Sequence, residues 1–331
     1  MSRDRLHRLL LALAFVIAAA PVRSAASDVV ARPSASPTAT PPTLQALDCK
    51  DLGAAAVRDV LALAPAPRVI LIAGSLPAVT MEPLARFLVA MGYPDARLRA
   101  PGDGARSQSG YQDSLRLAGI VAWHYEHDGM APLLIGHSRG GMVVVRTLHE
   151  LAGAFQDAVP VWDPVRDEPL DRTTVVDPYT HAERPVVGLR VEYAAAIATG
   201  RLPRLLLGQW TMLRRLHVIP DTVREFTAFT IPGDWIAGDV FDREGYRAAG
   251  TAHVRNVELP AGTSHIGAVD VDPLAEDPAM REWIDAYRPD RPAAWPHGDT
   301  TNLLQAADIW YGVKSAWCRA AQAHAALKAP S

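Results

Sequence analysis

The stretch "LLIGHSRGGMVVV" (Leu133–Val145) joins two apolar runs through a polar, glycine-rich knot. The leading run suits a strand buried on both faces, and "MVVVRTLHELAG" repeats apolar residues at helical spacing up to Gly153. Inside the knot, Gly136, Ser138 and Gly140 spell G-x-S-x-G between that strand and that helix. A strand-to-helix turn this tight leaves almost no space for side chains two residues either side of the serine. It also lifts the serine Oγ clear of the sheet edge. Ser138 is the candidate nucleophile, and the helix starting at Arg139 offers backbone N–H groups beside it.

The flanks repeat the alternation. "RVILIAG" (Arg68–Gly74) predicts a second buried strand, "EPLARFLVAMG" a helix closed by Gly92, and "ARLRAP" a short strand. "YQDSLRLAGIVAWHYEHDG" predicts a long helix closed by Gly129. Strand and helix in turn imply an α/β fold with a mostly parallel sheet covered on both faces. From about 154 to 225 the rhythm breaks. "VWDPVRDEPLDRTTVVDP" suits a hairpin-like excursion, "VVGLRVEYAAAIATG" another sheet strand, and "LPRLLLGQWTMLRRLHVIP" an amphipathic helix pair. Strands return with "EFTAFTIPGDWIAGD" and "AHVRNVELPAGTSHIG". The expected organisation is one domain over 44–331 with an insertion at about 154–225.

A serine hydroxyl is a weak nucleophile at neutral pH and needs a base. His265 lies in a loop of small residues after the last of these strands, where its ring can reach the turn. A carboxylate must in turn fix the tautomer of the base. Asp234 follows the preceding strand directly and is the preferred acid, with Asp239 as the rival. Taken in the order Ser138, Asp234, His265, these residues give the chain a resemblance to the α/β-hydrolase family over about Arg68–Val269.

That resemblance implies an eight-stranded, mostly parallel sheet, a cap insertion before the acid strand, and hydrolysis of carboxylic esters through an acyl-enzyme. "RAPGDGARSQSGY" is similar to a loop in which many members carry aspartate, glycine and serine. The chain departs from the pattern at "LIAGSLPAV", which has Ala73-Gly74 where many members have His-Gly. By position, the oxyanion donors are the N–H groups of Arg139 and Ser75, with Leu76 as the alternative second donor. Leu76, His137 and Trp210 are the expected substrate contacts, and the apolar cap points to a small or lipid-like ester. Thioester, amide and peptide hydrolysis use the same triad, and a catalytically silent binding protein could share the fold. No metal or organic cofactor is expected; Asp270, Asp272 and Asp277 lack calcium-loop spacing.

Composition narrows the partners. The 331 residues are 49% hydrophobic with a net charge of −3 and no long block of like charge. A nucleic-acid footprint is therefore not expected. Residues 1–26 combine Arg3, Arg5 and Arg8 with the apolar run Leu9–Ala20 and a small-residue end, the pattern of a cleavable signal peptide. The alternative is an uncleaved anchor, for which the apolar run is short. Residues 27–43 are rich in Pro, Ser and Thr and read as a linker. The expected location is secreted or periplasmic, with no stable membrane span after cleavage. Cys49 and Cys318, the only cysteines, are either a disulfide or two free thiols.

Overall fold

The computed structural model describes residues 43–200, 210–237, 245–291 and 302–328. The expected signal peptide, all of the expected linker but Thr43, and Asp239 lie outside the described residues. So does the 202–209 part of the expected helix pair.

Six strands form one wholly parallel sheet: β1 (Val69–Ile72), β2 (Ser107–Gln108), β3 (Leu133–His137), β4 (Val191–Ile197), β5 (Val223–Thr230) and β6 (His253–Glu258). Their order across the sheet is β6-β5-β4-β3-β1-β2. Register is continuous through the centre, with Ile70 beside Leu134, Leu134 beside Ala194, and Ala194 beside Phe226. β1 and β3 are buried at every position, as their unbroken apolar runs require.

Helices cover both faces. α2 (Glu82–Ala90) and α6 (Leu303–Lys328) pack on the face carrying Leu71, Leu133, Ile135 and Tyr193. α3 (Ser114–Asp128) and α4 (Arg139–Leu151) pack on the face carrying Ile70, Ile72, Leu134 and Phe226. Two further helices, α1 (Ala54–Asp59) and α5 (Pro278–Ala286), join the first layer through Val57 and Ile284. The ends of α3 follow local chemistry. The Asp113 carboxylate accepts the Leu115 N–H at its start, and Gly129 in the left-handed region, φ 71°, closes it.

Three expectations change. The sheet has six strands among the described residues, not eight: the residues ahead of β1 form α1 and short 3₁₀ turns at Leu44–Ala46 and Leu61–Leu63. "ARLRAP" is no strand, because Pro94 leads into a 3₁₀ turn at Asp95–Arg97. Asp95 then draws in the Arg99 and Arg106 guanidinium groups at 2.7 and 2.6 Å, folding the segment back. Within 154–225 the expected sheet strand is present as Val191–Ile197, and the stretch ahead of it forms two antiparallel hairpins, Trp162–Asp163 with Glu168–Pro169 and Thr174–Val176 with Glu183–Pro185. The described end of the expected helix pair is a 3₁₀ turn, Trp210–Met212, followed by a short strand, Val218–Ile219.

Cys49 and Cys318 are bonded, which ties the segment ahead of α1 to the buried side of α6. Gln322 reinforces the tie by donating to the carbonyls of Leu44 and Leu47 at 2.9 Å. The bond closes a span of 269 residues, for which loop entropy in the unfolded chain gives roughly 5 kcal/mol. Reduction is expected to lower the urea midpoint by an amount equivalent to about 2–5 kcal/mol. An unchanged midpoint, with two free thiols verified by mass, would count against this.

Candidate active site

Every candidate site residue in a parallel sheet should gather beyond the carboxyl ends of its strands, where loops from several strands meet. Here Ser75 follows β1, Ser138 follows β3, Asp234 follows β5 and His265 follows β6. The fold therefore brings to one edge residues up to 190 positions apart, 75 to 265.

The turn at Ser138 is strained. Its φ of 52° and ψ of −119° fall where side-chain-bearing residues rarely sit. A Cβ at Gly136 would overlap the Gly140 backbone, and one at Gly140 would overlap the Ile72 carbonyl, so both glycines are obligatory. β4 pins the strained residue. The Ser138 N–H donates to the Ile197 carbonyl at 2.7 Å, and the Thr199 hydroxyl donates to the Ser138 carbonyl at 2.9 Å.

The three candidate triad side chains are in line. Ser138 Oγ lies 3.0 Å from His265 Nε2, and His265 Nδ1 lies 2.6 Å from Asp234 Oδ2. All three residues are buried. Asp234 Oδ1 accepts the N–H groups of Ile236 and Ala237 at 3.0 and 3.1 Å. Burial opposes ionisation of Asp234, but the bond to His265 and these backbone donors outweigh it and hold the carboxyl below its ordinary range. An ionised Asp234 accepts from Nδ1–H, which leaves Nε2 as the lone-pair nitrogen facing the Ser138 hydroxyl. The arrangement can draw the serine proton onto His265 as Oγ attacks an electrophile.

The remaining expected residues divide. Ser75 is half-buried and Leu76 is exposed. Among the described residues no group accepts the N–H of Ser75, Leu76 or Arg139. Trp210 is 61% exposed on its 3₁₀ turn, while Met212 and Leu216 behind it are core residues. His137, an expected substrate contact, is buried. Alternation along β3 puts it on the inner face with Leu133 and Ile135, where its Nε2–H donates to the His265 carbonyl at 2.8 Å. A cavity of about 420 Å³ beside β2, lined by Arg68, Ser107, Gln112 and His124 among others, contains none of the triad residues.

Sequence reasoning missed Thr199 and the support role of His137. Neither carries a local signal, since each acts across strands.

No known protein family, characterised protein or solved structure matches this chain. The site must be judged on its own geometry.

One consequence concerns acid. Burial, and then the neighbouring His265, push His137 down to about 4, against about 6.5 for an unfolded histidine. Between those values the unfolded chain binds a proton that the folded chain refuses, so stability falls as pH drops from 6.5 to 4. The contribution is roughly 3 kcal/mol by linkage. Burial lowers His124 and His149 in the same direction. Urea midpoints measured from pH 7 to pH 4 are expected to fall; a flat profile would remove this role from the buried histidines.

Proposed function

We propose that this protein is a serine hydrolase of the α/β-hydrolase type, with Ser138 as nucleophile, His265 as base and Asp234 as its orienting acid. The observation that carries the reading is the Ser138–His265–Asp234 relay of two hydrogen bonds, set on a strained strand-to-helix turn. The strand order supports it too, with nucleophile, acid and base after β3, β5 and β6. In the reaction, Oγ attacks an acyl carbonyl while His265 takes its proton. The oxyanion is held by the N–H of Arg139 and that of Ser75 or Leu76. His265 then returns the proton to the leaving alcohol, and water attacks the acyl-enzyme by the same route.

The substrate is an apolar carboxylic ester. Leu76, Trp235 and Ile266 are all exposed, and each directly follows a residue of the site: Ser75, Asp234 and His265. The described residues 210–222, just ahead of β5, would contribute to the cap, with Trp210 exposed on its 3₁₀ turn. Such a rim favours substrates that bring more methylene groups, each worth about 0.8 kcal/mol or roughly fourfold in kcat/KM. A panel of p-nitrophenyl acetate, butyrate and hexanoate is expected to show that rise, with labelling of Ser138 by a fluorophosphonate. Equal turnover along the series drops the lipid-like preference. Faster cleavage of matched thioesters or amides moves the reaction class while keeping the relay.

The Cys49–Cys318 bond supports an exported protein, secreted or periplasmic. No helix among the described residues is long and apolar enough to cross a membrane.

A further inference from the structure

We propose that Arg139 and Tyr111 form a clasp that positions the Ser75–Leu76 peptide for oxyanion binding. Both are then positioning residues of the hydrolysis proposed above, on which this inference rests.

The clasp is a closed ring of contacts beginning one residue after the nucleophile. Arg139 Nε–H donates to the Gly110 carbonyl at 2.8 Å. Its guanidinium carbon sits 4.3 Å from the centroid of the Tyr111 ring. The Tyr111 hydroxyl donates to the Ser75 carbonyl at 3.2 Å. Gly110 itself lies so close to the Ala73 and Gly74 carbonyls that a Cβ would overlap them, which seats the loop on the end of β1.

Neither side chain is placed by burial or charge pairing. Tyr111 is 59% exposed, and Arg139 makes no ion pair among the described residues. An exposed phenol held over an unpaired guanidinium gains only modestly in stability from that contact. What the ring does fix is direction. In a trans peptide the C=O and the following N–H point opposite ways, so holding the Ser75 carbonyl on Tyr111 sets where the Leu76 N–H points. The other donor, the Arg139 N–H, belongs to the residue whose side chain closes the ring. One clasp therefore ties together both sides of the proposed oxyanion site, and donors fixed in advance need no reorganisation as charge develops.

Tyr111→Phe removes only an exposed hydroxyl, so folding is preserved. It is expected to lower kcat on p-nitrophenyl butyrate about tenfold, with KM within about twofold, because the lost contact acts on the transition state. Arg139→Lys keeps the charge but not the planar face, and should do the same. The double variant should fall little below either single one, since both break one ring. The pH profile of kcat should keep its wild-type shape. Wild-type turnover in Tyr111→Phe, with Ser138 still labelled by a fluorophosphonate, overturns the clasp alone. A rise in KM at constant kcat makes Tyr111 a substrate contact and also overturns it. Wild-type protein that leaves Ser138 unlabelled overturns the hydrolase reading and the clasp together.

Discussion

Ser138→Ala is expected to lower kcat on p-nitrophenyl butyrate by roughly 10⁵- to 10⁶-fold and to abolish fluorophosphonate labelling. The substitution removes the attacking atom while leaving Cβ in place. Alanine meets the same strain at φ 52° that serine does, and the bonds pinning the turn to Ile197 and Thr199 are made by the backbone of residue 138. The fold should therefore survive, and unchanged melting behaviour would attribute the loss to chemistry. Activity within tenfold of wild type would end the serine mechanism.

Asp234→Asn should come next, at roughly 10⁴-fold in kcat. The argument lies in which oxygen does what. Oδ1 accepts from the N–H groups of Ile236 and Ala237, so the amide oxygen of an asparagine must take that position. Its NH₂ then faces His265 Nδ1, where Oδ2 stood. A donor there makes Nδ1 the acceptor and moves the ring proton to Nε2, which can no longer receive the Ser138 hydroxyl. Substrate binding would be little affected, so KM should hold. Asp239→Asn should leave activity near wild type, and the reverse ranking would transfer the orienting role to Asp239.

Much of this site could be read along the chain because its constraints are local. A G-x-S-x-G turn declares itself through steric need, and Gly136 and Gly140 are indeed packed against backbone. Asp234 and His265 were legible from their place after β-rich runs, since strand ends in a parallel sheet converge. What stayed hidden depends on contacts across the sheet. His137 looks in sequence like part of the exposed turn, yet alternation on β3 buries it beneath His265. Tyr111 stands in a polar loop with no signal that its hydroxyl reaches Ser75, 36 residues back. "ARLRAP" alternates like a strand, and the 3₁₀ turn after Pro94 and the draw of Asp95 on Arg99 and Arg106 turn it.

The staple between Cys49 and Cys318 also bears on the order in which the molecule can be built. α6 lays Trp310 and Trp317 across the face that carries Leu71, Ile135 and Tyr193, and all of these are fully buried in the finished fold. A ribosome makes Cys49 first and delivers its partner 269 residues later. Through that interval α2 covers only part of the apolar face, and Cys49 waits for its bonding partner. Contacts this distant along the chain form slowly, and uncovered apolar strands invite association between chains. The hazard for this protein is thus one of timing: its weakest moment is the wait for α6.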